Sequence, residues 1–377
     1  MGATDDATPR RSYHAGAVGT TSVALPGPGL YNRRSVVPHQ LRFLMSLRTL
    51  QGKLIASLLL GLAVVIGIGL ASDVRAVGRD LLTFQWGLLP AILGFTAFNY
   101  LLRWLKWAYY LRRLHCDERV GQLDSGLIFI AGMVMAVTPG KLGEVFKAYL
   151  LRRVNGTPIT RSAPIILAER LTDGLAMLLL MALGLTLYPP ARPVFALLVV
   201  GTFIGILILQ YRGLSLALIA SLARLPFGSK LAPRLHSIYE STHELLAWRV
   251  LLVSTLISVV SWGSECVAFY YVLVGVGSVG TPLLLLQATF IFAASTLFGL
   301  VSFLPGGLGV SEVSSVGLLI ALARATTAGA TTATILIRFC TLWFGVLLGL
   351  LALTWFGRRY GTGEAGGPTQ DSVEALS

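Results

Sequence analysis

Six runs of about 20 predominantly apolar residues recur along this chain, and they constrain its fold more than any other feature. The runs cover residues 53–72, 83–102, 163–187, 193–211, 250–275 and 333–356. A helix needs about 20 apolar residues to cross the hydrocarbon core of a bilayer. With 55% hydrophobic residues, 12% charged residues and a mean hydropathy of +0.74, the chain is too apolar for a soluble globule of its length. We therefore predict an all-α polytopic membrane protein with about six full spans.

Two further apolar stretches are interrupted by nearly the same phrase, PGKLGE in the first and PGGLGVSE in the second. The helix-breaking residues are Pro139, Gly140 and Gly143 in the first phrase and Pro305, Gly306, Gly307 and Gly309 in the second. Each phrase ends in a glutamate that an arginine follows after 26 residues, Glu144 with Arg170 and Glu312 with Arg338. This matched spacing indicates a duplicated unit. Because Gly is abundant, at 41 of 377 residues, a chance match is the alternative.

Breaks of this kind point to the interior of a transporter. Pro and Gly free backbone groups that are tolerated at membrane depth only where they are buried in protein or line a cavity. Paired breaks in corresponding positions of two halves mark the central binding site of many secondary transporters.

The segments that contain the breaks are predicted to form two re-entrant helical hairpins. Residues 126–138 are too short to cross, and basic residues flank them, so this hairpin enters and leaves from the cytoplasm. Residues 283–323 lie between an inward-to-outward and an outward-to-inward span, so the second hairpin enters from outside. The two halves then form an inverted repeat. In the alternative, residues 283–303 cross as an ordinary helix and the C-terminus lies outside.

The net charge of +13 lies mainly in the connections between apolar runs, so it orients the chain in the membrane and indicates no nucleic-acid partner. By this rule both termini lie in the cytoplasm. We predict that the protein is located in the plasma membrane. The predicted organisation is a disordered cytoplasmic tail at 1–50, a transmembrane domain at 51–357 with halves at about 83–211 and 250–357, and a flexible cytoplasmic tail at 358–377. Translation from Met45 is an alternative start. Residues 212–249 form either an interfacial helix or a plain loop.

Ionisable side chains inside the apolar segments are the candidate substrate-binding residues. They are Arg103, Lys106, Lys141, Glu144, Lys147, Glu169, Arg170, Asp173, Glu312 and Arg338, and Glu265 is a further ionisable residue within a span. Such residues are costly in lipid and usually face the bundle interior. Arginine offers the planar fork of donors that phosphate recognition favours, and helix ends at Gly-rich breaks present free N–H groups to an anion. In the structural alternative, Glu144 with Arg170 and Glu312 with Arg338 only hold the bundle together.

Signatures of catalysis and of metal binding are missing from the sequence. Gly140 and Lys141 precede a leucine and lack the upstream glycine of a phosphate-binding loop, so no ATP-driven pump is implied. Three scattered cysteines give neither a disulfide framework nor a CxxC motif. We therefore expect neither a metal nor another cofactor, and no enzymatic activity.

The chain resembles the lysylphosphatidylglycerol synthase transmembrane region, a family also called flippase-like membrane proteins. The resemblance rests on RWLKWAYYL at 103–111, TPGKLGEVFKAYLL at 138–151, AERLTD at 168–173 and FLPGGLGVSE at 303–312, and it covers roughly residues 50–357. It implies a polytopic domain that, in the multiple peptide resistance factor, is fused to a soluble synthase and moves aminoacylated phosphatidylglycerol between leaflets. Where the family usually has an arginine after the first Pro-Gly, this chain has Lys141, which keeps the charge and loses the planar fork.

The chain ends about 20 residues after its last predicted span, so it resembles relatives that lack the synthase. Such relatives are linked to polyprenyl-phosphate sugars or hopanoids among other lipids. We expect a lipid or glycolipid flippase that moves an anionic or aminoacylated head group, with membrane lipids and a separately encoded lipid-modifying enzyme as partners. The alternatives are a membrane-embedded enzyme or partner subunit that acts on polyprenyl-phosphate-linked sugars, and a small-anion transporter.

Overall fold

The computed structural model describes residues 73–137, 145–223, 241–302 and 304–361, together with Gly2, Gly67 and Tyr239. Within these residues every regular element is a helix, which confirms the predicted all-α polytopic class. The described helices belong to one compact unit, Leu50–Ser377. The predicted span at 53–72 apart from Gly67, most of both predicted tails and the first Pro-Gly break lie outside the described residues.

Thirteen α-helices of defined extent occur in the described residues, and residues 241–245 are helical as well. The thirteen are α1 Val74–Thr83, α2 Leu89–Arg113, α3 Gln122–Gly132, α4 Val145–Asn155, α5 Ile159–Ser162, α6 Pro164–Gly184, α7 Arg192–Gln210, α8 Arg212–Ala223, α9 Trp248–Gly275, α10 Pro282–Val301, α11 Val310–Ala323, α12 Thr327–Arg338 and α13 Phe344–Tyr360. The described residues also contain short 3₁₀ turns at Trp86–Leu88, Met133–Val137, Pro189–Ala191 and Pro305–Gly307 and a π-helical segment at Phe339–Trp343.

Five helical stretches are long and apolar enough to cross a membrane. They are Trp86–Arg113, Pro189–Gln210, Trp248–Gly275, Pro282–Val301 and Thr327–Tyr360. Four of them correspond to the predicted spans at 83–102, 193–211, 250–275 and 333–356. The predicted span at 163–187 is α6, whose 21 residues also suffice to cross, although its first half carries three ionisable side chains.

The first predicted hairpin is short. Its apolar arm, Gln122–Ala136, comprises α3 and most of the following 3₁₀ turn, and it is too short to cross a bilayer. The returning arm α4 packs against α3. The residues that join the two arms include the first break and lie outside the described part of the chain.

The second predicted hairpin has unequal arms. Its first arm, α10, has 20 residues with no internal proline and no charged side chain, so it is long and apolar enough to cross. Its second arm, α11, has 14 residues and packs against α10. The matching re-entrant shape and the inverted repeat therefore stay predictions.

The long helix α9 lies at the centre of the packing. It contacts α2, α6, α10 and α12, while α13 contacts α3 on the other side of the bundle. Helix α7 differs from these because none of its residues is buried. An apolar helix of this kind is stable when lipid covers it, because each exposed apolar side chain would otherwise contact water.

Candidate functional site

A ladder of polar side chains joins α2 to α9. The polar positions are Thr96, Asn99, Arg103, Lys106 and Tyr110 on α2 and Ser254, Ser258, Ser261 and Glu265 on α9. Their spacing of three and four residues places each set on one face of its helix. The Asn99 amide donates to the carbonyl and hydroxyl oxygens of Ser261, both at 2.9 Å. Small polar residues let two helices approach closely at membrane depth.

A cavity of about 220 Å³ opens beside this ladder. Helices α2, α6, α9, α10 and α12, the 3₁₀ turn after α3 and the second break contribute to its wall. Its ionisable and amide side chains are Asn99, Tyr100, Arg103, Lys147, Arg170, Asp173, Glu265 and Arg338. Four of these side chains are cations and two are carboxylates, so the wall carries an excess of positive charge.

The pair formed by Lys106 and Asp173 is buried at the base of the ladder. Lys106 Nζ lies 2.5 Å from Asp173 Oδ1 and donates to the Ser258 hydroxyl at 2.7 Å. Ser258 in turn donates to the same carboxylate oxygen at 3.1 Å. Arg170 lies 3.7 Å from the other oxygen of Asp173. A lysine buried this deeply is compatible with the charged state only because its carboxylate partner is so close.

The pair formed by Lys147 and Glu169 connects the first hairpin to α6. Lys147 Nζ lies 2.5 Å from Glu169 Oε2 and also faces the rings of Trp107, at 4.7 Å, and Phe129, at 5.3 Å. The electron-rich faces of these rings favour a cation. Glu169 and Asp173, which lie four residues apart on α6, therefore bind different lysines.

The second break is built around Glu312. Its Oε1 lies 2.7 Å from Arg338 Nε, and its Oε2 accepts from the backbone N–H of Gly309 at 2.7 Å. The carboxylate thus caps the N-terminus of α11, where the helix dipole favours negative charge. This is the glutamate–arginine pair that the repeated spacing singled out.

The glycines of the second break allow a close backbone contact. Gly306, Gly307 and Gly309 have φ angles of 59°, 69° and 88°, which residues with a side chain rarely adopt. A Cβ on Gly307 would lie 2.9 Å from Gly299 Cα and 2.7 Å from the Ser311 hydroxyl. The 3₁₀ turn that ends the apolar arm of the first hairpin packs against this break. The end of that arm and the second break therefore meet at the wall of the cavity, to which Ala136 and Gly306 both contribute.

A π-helical segment follows Arg338 directly. It spans Phe339–Trp343, and its residues Thr341 and Leu342 line the cavity. The Tyr100 hydroxyl of α2 donates to the Thr341 carbonyl. Single π turns within α-helices shift the backbone register and are frequent at functional sites.

Arg103 is the cavity cation that lacks a carboxylate partner among the described residues. Its guanidinium lies 5.4 Å from the ring centre of Trp262. The Trp262 indole N–H and the Asn99 side-chain oxygen are buried and have no hydrogen-bond partner within the described part of the chain. This end of the cavity therefore presents the Arg103 guanidinium to a ligand, with two unpaired polar atoms buried in its wall.

The structure divides the predicted site residues into three groups. Arg103, Lys147, Arg170, Asp173 and Arg338 line the cavity, as do Gly306 and Gly307. Lys106, Glu169, Glu312 and Gly309 lie behind its wall as ion-pair partners or caps. The remaining predictions, Pro139, Gly140, Lys141, Gly143 and Glu144, lie outside the described residues, and the side chain of Pro305 is likewise not described.

Several lining residues were missing from the predicted site. Asn99, Tyr100 and Trp262 belong to it, and Glu265 was noted only as an ionisable residue within a span. The sequence signal for Asn99 and Glu265 is the three-and-four spacing of polar residues within two apolar spans, which indicates one polar face on each helix.

No group of three metal-ligating side chains occurs among the described residues. The three cysteines are buried and free. Burial raises the pKa of the Cys116 thiol, which lies after the end of α2, so its reactive thiolate form is disfavoured.

Residues 58–349 match the family described as the lysylphosphatidylglycerol synthase TM region. The chain belongs to this family. Two relatives support the assignment to the lysylphosphatidylglycerol synthase TM region family and are themselves described as UPF0104 membrane proteins. That of Pyrococcus horikoshii is 25% identical over 275 residues, which cover 65% of this chain and 80% of the relative. That of Methanothermobacter thermautotrophicus is 26% identical over 286 residues, which cover 70% and 81%. The predicted resemblance is thereby confirmed, and the protein is a multi-pass membrane protein.

Proposed function

We propose that the protein is a lipid or glycolipid flippase that binds an anionic head group in the cavity between α2, α6, α9 and α12. The observation that supports this most is the set of cations on the cavity wall, Arg103, Arg170 and Arg338 among them, within an apolar bundle. Phosphate accepts hydrogen bonds from guanidinium groups in a planar, two-pronged geometry.

The size of the cavity suits a head group rather than a whole lipid. Pockets for drug-sized ligands measure about 300–1,000 Å³, and this cavity has about 220 Å³. In our proposal the head group enters the cavity and the acyl or prenyl chains remain in the bilayer. Head groups of phosphatidylglycerol and of a polyprenyl phosphate have the required negative charge. Aminoacylated phosphatidylglycerol keeps the anionic phosphodiester, although its amino groups remove the net negative charge of the head group.

The proposed function also concerns the membrane in which the protein lies and the enzyme with which it works. We infer a location in the plasma membrane with both termini in the cytoplasm, in line with the basic connections. The protein itself moves the lipid without chemical change, and a separately encoded enzyme modifies it.

A small-anion transporter is the second candidate. The volume of about 220 Å³ favours it equally, because a free phosphate ester would fill the cavity without any contact to lipid. The two candidates differ in whether the ligand carries an apolar chain.

The test uses the purified full chain in phosphatidylcholine liposomes that contain trace amounts of one fluorescent lipid at a time. Dithionite, which bleaches only the outer leaflet, measures movement between leaflets. We expect faster movement of labelled phosphatidylglycerol or polyprenyl phosphate than in protein-free liposomes, and none for labelled phosphatidylcholine. Uptake of radiolabelled glycerol phosphate without lipid movement would favour the small-anion transporter. If the protein showed neither lipid movement nor anion uptake, that result would contradict the proposed function.

A further inference from the structure

Glu265 differs from the other buried carboxylates around the cavity. Asp173, Glu169 and Glu312 each have a lysine or arginine nitrogen within 2.7 Å. Glu265 is only 2% exposed, and its one hydrogen bond among the described residues comes from the Thr96 hydroxyl at 3.4 Å. A carboxylate buried in this way keeps its negative charge only while a nearby cation attracts it, and it takes up a proton when that attraction is lost.

Charged and titratable groups from several elements surround Glu265. Those that interact with it electrostatically are Arg103 and Tyr100 on α2, Cys266 on α9 and Cys340 in the π-helical segment. Those that line the same cavity are Lys147 on α4, Arg170 and Asp173 on α6 and Arg338 on α12. Helix α10 contributes no titratable side chain. Arg338 binds Glu312, and Arg170 lies beside Asp173.

Arg103 is therefore the cation on which the charge of Glu265 depends. It lies over Trp262, which precedes Glu265 by one turn of α9, and it attracts the Glu265 carboxylate electrostatically. The proposed anionic head group is attracted to the same guanidinium. The two negative groups compete for one cation and repel each other.

We propose that Glu265 is a proton-binding site of the transport cavity and that its carboxylate takes up one proton when an anionic head group binds Arg103. This inference rests on the proposed function. The proton converts the Glu265 carboxylate to a neutral carboxyl group and so removes one negative charge from the cavity. A monoanionic head group brings one negative charge, so the net charge of the cavity is unchanged when both bind. Release of the head group restores the attraction of Arg103 and returns the proton. Lipid movement is thereby coupled to a pH gradient.

The test measures leaflet distribution at steady state. The full chain is reconstituted in phosphatidylcholine liposomes with trace fluorescent phosphatidylglycerol, and equal potassium on both sides with valinomycin removes the membrane potential. A gradient of one pH unit then shifts the distribution of the label between leaflets by about tenfold for one proton per lipid. A steady-state distribution does not depend on how fast each variant works.

The decisive variant is Glu265→Gln, which keeps the size and polarity of the side chain. We expect its label to stay evenly distributed under the gradient. Glu244→Gln, at an exposed position, is the matched control and should follow the gradient as wild type does. Two results would overturn this inference and leave the proposed function intact. In one, wild type moves lipid but its label does not respond to the pH gradient. In the other, Glu265→Gln responds to the gradient as strongly as wild type does. No lipid movement by wild type overturns the proposed function and this inference with it.

A second measurement applies if Glu265→Gln folds but moves no lipid. Detergent-solubilised protein is mixed with dimethyl phosphate, a phosphodiester probe without an apolar chain, in weakly buffered solution with a pH dye. Wild type should take up about one proton for each site filled, and Glu265→Gln none. Equal uptake by the two proteins would contradict the inference.

Discussion

At the scale of single residues, the cavity is defined by which charges are paired. Lys106 with Asp173, Lys147 with Glu169 and Arg338 with Glu312 are held at 2.5–2.7 Å. These pairs hold separate helices together. The charges without a close opposite partner in the described residues, Arg103 and Glu265, are the ones to which we assign ligand and proton binding.

The pair of Lys106 and Asp173 should be worth more to folding than any surface pair. In Asp173→Asn the ammonium of Lys106 stays buried without its carboxylate, which destabilises a protein by about 3–5 kcal/mol. We expect a clear loss of thermal stability in detergent, measured by size exclusion after heating. The double variant Lys106→Met/Asp173→Leu, which removes both charges of the buried pair, should recover most of the lost stability. An unchanged midpoint for Asp173→Asn would contradict a buried, charged pair.

Glu312 should affect both stability and function, because one carboxylate caps α11 and binds Arg338. Glu312→Gln keeps the acceptor for the Gly309 N–H and removes the charge opposite Arg338. We expect this variant to insert into the membrane and to have a free energy of unfolding that is lower by about 1–3 kcal/mol, which is the usual cost of losing a hydrogen bond to a charged group. Its melting temperature should rise again in Glu312→Gln/Arg338→Gln. Failure of the second change to restore stability would show that the pair is not coupled.

At the scale of elements, the second break depends on backbone geometry. Gly307→Ala places a Cβ 2.9 Å from Gly299 Cα at a φ of 69°, so we expect a loss of stability of at least about 1 kcal/mol and slower lipid movement. Gly317→Ala is the matched control, because this glycine lies in α11 with open space around it. The control should be neutral or slightly stabilised, by up to about 1 kcal/mol. Equal stability of the two variants would show that the close contact is unimportant.

Elements were predicted best where apolar runs were long. The spans that became α2, α7, α9 and α13 follow from hydropathy alone, because lipid imposes a minimum length on them. The unequal arms of the second hairpin were not expected, since the repeated phrase marks where a helix breaks and says nothing of how long the arm before it is. Hydropathy also hides the ladder between α2 and α9, because its few polar residues are outnumbered by apolar ones.

The sequence also predicted only part of the candidate site. Ionisable residues stand out within apolar spans, so Arg103, Arg170, Asp173 and Arg338 were found from sequence. Helix packing decides which carboxylate binds which cation. The pairing of Lys106 with Asp173 and of Lys147 with Glu169 could therefore be seen only in the structure. Tyr100 and Trp262 are ordinary residues in a membrane helix, and only their contact with the cavity distinguishes them.

At the scale of the whole molecule, the lipid-facing surface is testable at α7. Leu197 is 71% exposed, and α7 buries none of its residues. We expect a spin label at Leu197→Cys to collide freely with oxygen, which dissolves in lipid, and rarely with a water-soluble nickel chelate. The reverse accessibility would place α7 outside the hydrocarbon region. A label at exposed Leu82→Cys in the amphipathic helix α1 is the comparison.

The membrane topology is the second property of the whole molecule. We predict a cytoplasmic C-terminus, because Arg358 and Arg359 follow the last span. A fluorescent protein fused after residue 377 should therefore fold and emit, whereas a fused periplasmic phosphatase should be inactive. The opposite result would mean that α10 crosses as an ordinary helix.

The most direct measurement compares two arginines of α2 in the leaflet assay. Arg103 and Arg113 both lie over an aromatic ring, at 5.4 Å and 5.3 Å, but only Arg103 lines the cavity, while Arg113 is exposed at the end of the helix. Loss of hydrogen bonds to a charged group is worth about 1.5–3 kcal/mol, so Arg103→Ala should slow movement of labelled anionic lipid by about 10- to 100-fold. Arg113→Ala should match wild type. Equal rates for the two variants, both correctly folded, would contradict a head-group site at Arg103.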